Sequence, residues 1–424
     1  MHAIDSSATR EVTVVGAGII GIVTAVHLQR EGHRVTVVDR DDPGNGASFG
    51  NAGSIAPSSI LPMAMPGVLR NLPNWLRDPL GPLTISWRLL PRLLPWFLHF
   101  RRACDPARAR RAASALRALN AAAVEAYAEL LAAAGAPELL RREGMLHVYR
   151  SEGGFAASAF GRQLRMDNGC AVEVADSHRI RELAPGLSPA YRWGFYLPDN
   201  AHVRNPARVV EVLARHFADN GGRIERAHVK GFTMDANGPV ALQTDAGAVP
   251  VGHVVLAAGH ASGALASKAG TRVPLAPERG YHIEIPQARP LQHCPVTDGE
   301  ARCVATPMEG GLRIAGTSEF NAAQAPPDWA RAEALARNAA AMFPGLQTAG
   351  HGRWMGVRPS TPDSAPVIGR SPVYRRLYFA FGHGHWGLMA APATARILAD
   401  LVAGRTPAID IAPFRPDRFS LTAA

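Results

Sequence analysis

The chemistry written most plainly into this chain is the binding of a dinucleotide. Gly16-Ala17-Gly18-Ile19-Ile20-Gly21 has the G-x-G-x-x-G spacing. In that spacing Gly16 permits a tight turn, Gly18 lets a pyrophosphate approach the backbone, and Gly21 lets a helix sit close on a strand. Free N–H groups at the start of such a helix face the phosphates. Asp39 follows Gly21 by eighteen residues, with Arg40 beside it. A carboxylate at that distance accepts hydrogen bonds from an adenosine ribose and repels the extra phosphate of NADP.

The elements needed to position these residues are legible around them. Glu11–Val15 is a β-branched run, Ile22, Ala25, Val26 and Leu28 recur at helical spacing, and a second run covers Arg34–Val38. The order is strand, glycine turn, helix, strand. NAD and FAD share this fingerprint. Beyond Asp39 the chain enters a loop rich in glycine, serine and asparagine, including Ser48, Asn51, Ala52 and Gly53. Such a loop offers backbone donors at short intervals and suits a second, bulkier half of a cofactor. A second glycine turn, Gly382-His383-Gly384-His385-Trp386-Gly387, leads from the apolar run Leu377–Phe381 into an Ala- and Leu-rich helix. The dipole of that helix stabilises negative charge on a reduced flavin ring. A single NAD-type domain has no need of this turn, so the reading favours FAD. Val229 and the small-residue strand end at Ala258 and Gly259 complete the expected cofactor contacts.

Composition narrows the class. The chain has 424 residues, 47% apolar and 19% charged, as folded globular proteins do. Its net charge of +10 is carried by arginine, since Lys230 and Lys268 are the only lysines. The arginines are dispersed apart from a denser stretch at 101–117 and are not interleaved with aromatics, which argues against nucleic acid. Cys104, Cys170, Cys294 and Cys303 have no metal-ligand spacing, and the expectation is free thiols, no metal and a reducing compartment. Met1–Arg10 lacks the apolar core of a secretion signal, and no apolar run reaches the ~18 residues of a spanning helix.

Further elements follow from local signals. Asn205-Pro206 opens a helix with Val209, Val210, Leu213 and Phe217 on its apolar face, ended by Gly221-Gly222. Asn237-Gly238 marks a hairpin. Strands are predicted near Tyr281–Ile285 and Arg313–Ala315, and a helix over Asp328–Met342. Within 61–102, Trp75, Trp87 and Trp96 are interleaved with leucine, proline and arginine. Ile85, Leu89, Leu93, Trp96 and Phe100 share one helical face, away from Arg88, Arg92 and His99. That stripe suits a surface in the lipid headgroup region, or one packed on its own protein or a partner subunit. Pro91 and Pro95 argue against one uninterrupted helix.

The glycine turn, Asp39, Ser48-Phe49-Gly50-Asn51-Ala52-Gly53, Gly356-Val357-Arg358-Pro359-Ser360-Thr361-Pro362-Asp363 and Gly382-His383-Gly384 occur in that order. Together they resemble the FAD-dependent D-amino acid oxidase superfamily, most of all its bacterial D-amino acid dehydrogenase branch. The resemblance implies an α/β fold: a discontinuous Rossmann-like FAD-binding domain plus an α+β substrate domain with a mixed or antiparallel sheet. The expected boundaries are 8–58, 105–133, 200–262 and 350–418 for the FAD-binding domain and 136–199 and 263–349 for the substrate domain. Residues 59–104 form an apolar and basic excursion toward a membrane or partner.

The resemblance also implies roles. Arg358, in Gly-x-Arg-Pro, grips a substrate carboxylate with a planar fork that stays charged. Tyr281 caps the carboxylate or amine while His282 points away. His385 hydrogen-bonds the flavin or lines the pocket, and His202 is a further pocket candidate. Gly384, Trp386 and Gly387 join the cofactor contacts. The implied reaction is oxidation of a D-amino acid, cyclic ones such as D-proline or hydroxy-D-proline included. A hydride passes from Cα to flavin N5, giving an imine and then a 2-oxo acid. Electrons then pass to a quinone or another non-oxygen acceptor. A glycine- or sarcosine-type amine oxidoreductase subunit and a non-catalytic nucleotide-binding subunit are the alternatives. The expected location is cytoplasmic, with peripheral attachment to the cytoplasmic face of the inner membrane as the variant reading.

Overall fold

Four of the five residues of β1 (Glu11–Val15) are buried, because both faces of the strand are covered. A computed structural model describes residues 9–70, 80–81, 83–286, 288 and 291–419. β1 lies inside a six-stranded sheet between β2 (Arg34–Asp39) and the strand His253–Leu256. Beyond these lie Arg223–Arg226 on one side and Leu377–Phe381 then Val367–Arg370 on the other. All pairings are parallel except the last. The helix α1 (Ile19–Arg30) packs against the final helix, Gly387–Ala403, and Ile22 and Val26 share one buried core with Ala395 and Leu398. Ligands of such sheets sit at the carboxyl ends of the strands, where the connections leave in opposite directions. β1 is at that point.

A second sheet has nine strands. Gly352–Ser360, Ala276–Pro286, Gly311–Phe320 and Cys303–Met308 run antiparallel side by side, and Val296–Asp298, Met145–Tyr149, Trp193–Leu197 and Glu173–Ala175 continue it. Parallel pairing occurs between Val296–Asp298 and Met145–Tyr149, and where Leu83–Ile85 joins Gly311–Phe320. The helix Ala330–Met342 covers one face, with Leu335 and Ala339 in the same buried core as Ile283 and Ile314. The expected elements at 206–219, 237–238, 328–342 and 377–381 are present as a capped helix, a hairpin turn, a helix and a strand.

Two strands cross the expected boundaries. Gly352–Ser360, assigned from sequence to the FAD-binding segments, pairs along its whole length with Ala276–Pro286 and is an edge of the nine-stranded sheet. Leu83–Ile85, assigned to the excursion, joins the same sheet.

The excursion itself is turned over relative to the membrane reading. Helix Leu90–Ala103 buries Leu93, Trp96 and Phe100, the predicted stripe, against Ala64, Ala276 and Phe320. Pro91 sits in the first turn and Pro95 is accommodated inside. Trp96 stacks on Phe100 with ring centroids 5.0 Å apart and donates its indole N–H to Ser360 O at 2.9 Å. The protein's own sheet occupies the face that looked available for lipid. Trp75 lies outside the described residues. Trp96→Ala is expected to cost about 3–5 kcal/mol, the range for emptying a buried aromatic site. Leu94→Ala, whose side chain points to solvent, should stay within about 0.5 kcal/mol, both read by chemical denaturation.

Candidate active site

The glycine turn at the end of β1 is closed to side chains on two sides. A Cβ on Gly21 would lie 1.8 Å from Gly16 O, and one on Gly16, at φ 116°, would lie 2.3 Å from Ala257 O. Helix α1 can therefore start directly over the strand end. Asp39 accepts the N–H of Ala17 at 2.6 Å and that of Asp41 at 3.1 Å. Ile19 N–H donates to Ser48 Oγ at 2.9 Å, which ties the 48–53 loop to the helix start. The loop holds itself through Asn51, which donates to Ser48 O at 2.9 Å and accepts from Gly53 N–H at 2.8 Å. The nine-stranded sheet grips it from above, with Arg313 donating to Asn51 O at 2.8 Å and Thr306 to Ala52 O at 3.0 Å.

A cavity of about 1130 Å³ runs from this turn toward the second sheet. It is lined by Gly16, Ala17, Gly18, Ile19, Ile20, Asp39 and Arg40 at one end. Ser48, Asn51, Ala52, Val229, Ala258 and Gly259 follow along its walls, and Arg358, Gly384, His385 and Gly387 line the other end. The volume exceeds that of ordinary small-ligand pockets, roughly 300–1,000 Å³. The side-chain-free turn, the adjoining carboxylate and the donor-rich loop fit a dinucleotide such as FAD on the chemistry of the groups present.

Four expected contacts do not line the cavity. Gly21 acts behind the turn. Gly53, at φ 73°, is needed because a Cβ there would meet Val203 O at 2.6 Å. Trp386 is buried and donates its indole N–H to Ser59 O at 2.7 Å. His202 is 1% exposed on a strand paired with Ser54, its Nε2 4.0 Å from Glu143.

The far end is built from three strands and the second glycine turn. In the antiparallel register Glu278 lies opposite Arg358 and Gly280 opposite Gly356. The Arg358 guanidinium lies over Gly280, where a Cβ would come within 2.1 Å of Nη2. Arg358 Nη1 donates to Glu278 Oε1 at 3.1 Å. Gly384 N–H donates to Pro359 O at 3.0 Å, which docks the turn on the Arg358 strand. His385 thereby reaches Glu278 Oε1 with its Nε2 at 2.7 Å. Ser318 and Ser360 also donate to Glu278, so its carboxylate, 0% exposed, is held by four donors. Burial alone would push this carboxyl up. His385, the Arg358 guanidinium and the Ser318 hydroxyl outweigh burial and hold it well below the usual carboxylate range.

The strand alternation is the reverse of the predicted one. Tyr281 faces the helix Ala330–Met342, and its hydroxyl donates to Glu319 at 2.6 Å while accepting from Arg279 and from Asp328 N–H. His282 faces the loop, with Nδ1 2.8 Å from Gly50 O and its ring stacked on Trp354 at 5.1 Å. The cause is parity: Glu278 turns its side chain toward Arg358, so Tyr281, although it borders the cavity, sends its hydroxyl the other way. Arg358 and His385 are brought together; Tyr281 borders the cavity with its hydroxyl turned to Glu319, and His202 does not line it. The residue that sequence reasoning passed over is Glu278. Its signal was an acid two positions before a glycine in a strand otherwise reading as buried.

Comparison with known proteins agrees with this geometry. The family model described as FAD dependent oxidoreductase (DAO) matches residues 11–401. The chain is 37% identical to a D-amino-acid oxidase of Bradyrhizobium diazoefficiens, over 97% of this chain and 99% of that one. It is 32% identical to a D-amino acid dehydrogenase of Paramagnetospirillum magneticum, with 97% and 99% covered. Among solved structures, glycine oxidase from Geobacillus kaustophilus superposes with a TM-score of 0.75 at 23% identity, over 97% of this chain and 99% of that one.

Several histidines around the site are desolvated and neutral. Desolvation pushes His147, His282 and His383 down to about 3 and His202 to about 4. Unfolded histidines bind a proton below about 6.5, while these folded rings do not until the pH is far lower. The unfolded state thus holds more protons in that window, and stability falls as pH drops from about 6.5 toward 4. Thermal unfolding scans should show the melting temperature falling over that range, and His383→Gln should flatten the slope.

Proposed function

We propose that this chain, which belongs to the family of FAD-dependent oxidoreductases, catalyses the oxidative deamination of a D-amino acid. The observation that carries the proposal is the Arg358 guanidinium in the cavity wall. Glu278 holds one of its nitrogens, and Gly280 leaves the space the guanidinium fills. The full-length relatives named for D-amino acid oxidation support the same reading.

Arg358 binds the substrate carboxylate through the part of the guanidinium not engaged by Glu278. A planar fork fixes two oxygens at once, and so fixes where the α-carbon hydrogen points. His385 lies at the same end and meets the amine side of the substrate. The glycine turn, Asp39 and the 48–53 loop would hold FAD, which when bound would supply a two-electron acceptor. Trp96 and Phe100 line the cavity and keep this end apolar, which strengthens the ion pair with Arg358. The imine left by the substrate hydrolyses in water to a 2-oxo acid and ammonia.

Purified holoenzyme mixed anaerobically with a panel of D-amino acids, D-proline and hydroxy-D-proline among them, should lose the flavin's visible band with at least one member. Bleaching by glycine or sarcosine alone would move the assignment to the amine-oxidising relatives, and no bleaching would overturn it. Arg358→Ala should raise the substrate KM roughly 100-fold, the scale of removing one partner of a buried charge pair, with flavin content unchanged.

The electrons leave for a quinone or another acceptor that is not oxygen, at the cytoplasmic face of the inner membrane. Support comes from the outer side of the helix Leu90–Ala103 and its approach. Trp87, Leu90, Leu94 and Leu98 are 72%, 44%, 58% and 54% exposed there. Exposed Arg88, Arg92, Arg101 and Arg102 flank them. An apolar row edged with arginine suits an anionic lipid surface. Among the described residues no helix is long and apolar enough to cross a membrane, and the attachment proposed is a peripheral one through this row. The protein should float with anionic liposomes at low salt and be released by Leu94→Glu with Leu98→Glu. Failure to float would remove the membrane from the proposal.

A further inference from the structure

The reaction proposed above needs a neutral amine, because the nitrogen lone pair drives the hydride off the α-carbon and an ammonium has none. A base must therefore take one proton from the bound substrate. Few groups lining the cavity are placed to do so. Asp39 lies at the opposite end and already accepts two backbone N–H groups. Asp298 is held by Tyr191 at 2.6 Å, by Arg150 at 3.1 Å and by two backbone N–H groups. His383 is 3% exposed and bonded through Nε2 to Thr394 Oγ1 at 3.0 Å. Glu278 lies behind the cavity wall, fully buried and closed off by its four donors.

His385 differs from all of these. Its side chain is 37% exposed, it lines the cavity, and it sits on the same carboxylate that anchors Arg358. A carboxylate can only accept, so at 2.7 Å from Glu278 Oε1 the Nε2 of His385 must carry the hydrogen. The neutral ring then has its lone pair on Nδ1, which has no hydrogen-bond partner among the described residues. We infer that Glu278 is a positioning residue that fixes His385 as the base for the substrate ammonium, while seating Arg358 for the substrate carboxylate. One carboxylate thus registers both ends of the amino acid head group.

The step balances as a proton transfer. An N–H bond of the substrate ammonium breaks, its electron pair stays on nitrogen, and the proton bonds to His385 Nδ1. The imidazolium formed is paired at once with Glu278, already in hydrogen-bond contact, and returns the proton to solvent after product leaves. A positioned base of this kind is worth about 10²–10⁴ in rate.

The inference rests on the amino-acid reading, so its test has one arm that does not depend on turnover. In holoenzyme labelled with [15N]histidine, at a pH where the ring is neutral, His385 should show the Nε2–H tautomer. Glu278→Gln, whose amide offers a donor as well as an acceptor, should mix the tautomers. In anaerobic stopped-flow reduction, Glu278→Gln should lower the limiting rate at saturating substrate about 100-fold, a loss separate from any rise in Kd through Arg358. In a His385→Gln background the same change should cost less than about threefold, since the base it serves is gone. Glu278→Asp should recover part of the rate. A wild-type ring protonated on Nδ1, or equal losses from Glu278→Gln in both backgrounds, would overturn the inference. A wild-type enzyme that bleaches with no amino acid would instead defeat the substrate reading, with the tautomer still deciding for Glu278.

Discussion

The buried carboxylate of Glu278 is the interaction on which the candidate site depends. An unpaired carboxylate at zero exposure would cost several kcal/mol, and the fold offsets this with four donors from different parts of the chain. Arg358 and Ser360 come from one neighbouring strand, Ser318 from the other, and His385 from the turn before the final helix. Each donor is held in place by the acid it satisfies. The arginine that sequence reading singles out is therefore positioned by an acid that it overlooks.

Backbone packing supplies the rest of the geometry. Glycine appears where a side chain would collide: at Gly16 and Gly21 the helix must sit on the strand, and at Gly280 the Arg358 guanidinium must lie against the sheet. Trp354 shows the same logic from the opposite side. Its ring lies over Gly50 and Gly356, each of whose Cβ positions would fall within 2.3 Å of it, and it stacks on His282. The wall of the cavity is thus set by large side chains lying over glycines. The dinucleotide end and the Arg358 end are linked by Arg313 and Thr306, which reach from the second sheet to the 48–53 loop.

The excursion at 59–104 illustrates how periodicity can be read correctly while its partner stays open between lipid and protein. Leu93, Trp96 and Phe100 do share a face, and that face is apolar. Its partner is the chain's own Phe320 and Ala276, with Trp96 also capping Ser360 O. Lipid and a protein core make the same demand on a helix face, namely that it be apolar, so the stripe alone could not choose between them. The weaker row of Leu90, Leu94 and Leu98 is the one left facing outward.

The sequence by itself determined the local units. The glycine turn between β1 and α1, the cap at Asn205, the hairpin at Asn237-Gly238 and the second glycine turn each follow from residues within a few positions of one another. Their order along the chain was specific enough to indicate the family. Tertiary structure alone decided which strand edges met, and with them the boundaries, the facing of Tyr281 and His282, and the partner of Arg358. Glu278 and Arg358 are 80 residues apart, and Glu278 and His385 are 107 apart. Contacts across such separations depend on strand register. A shift of one residue exchanges the two faces of a strand, and no local propensity records which face was taken.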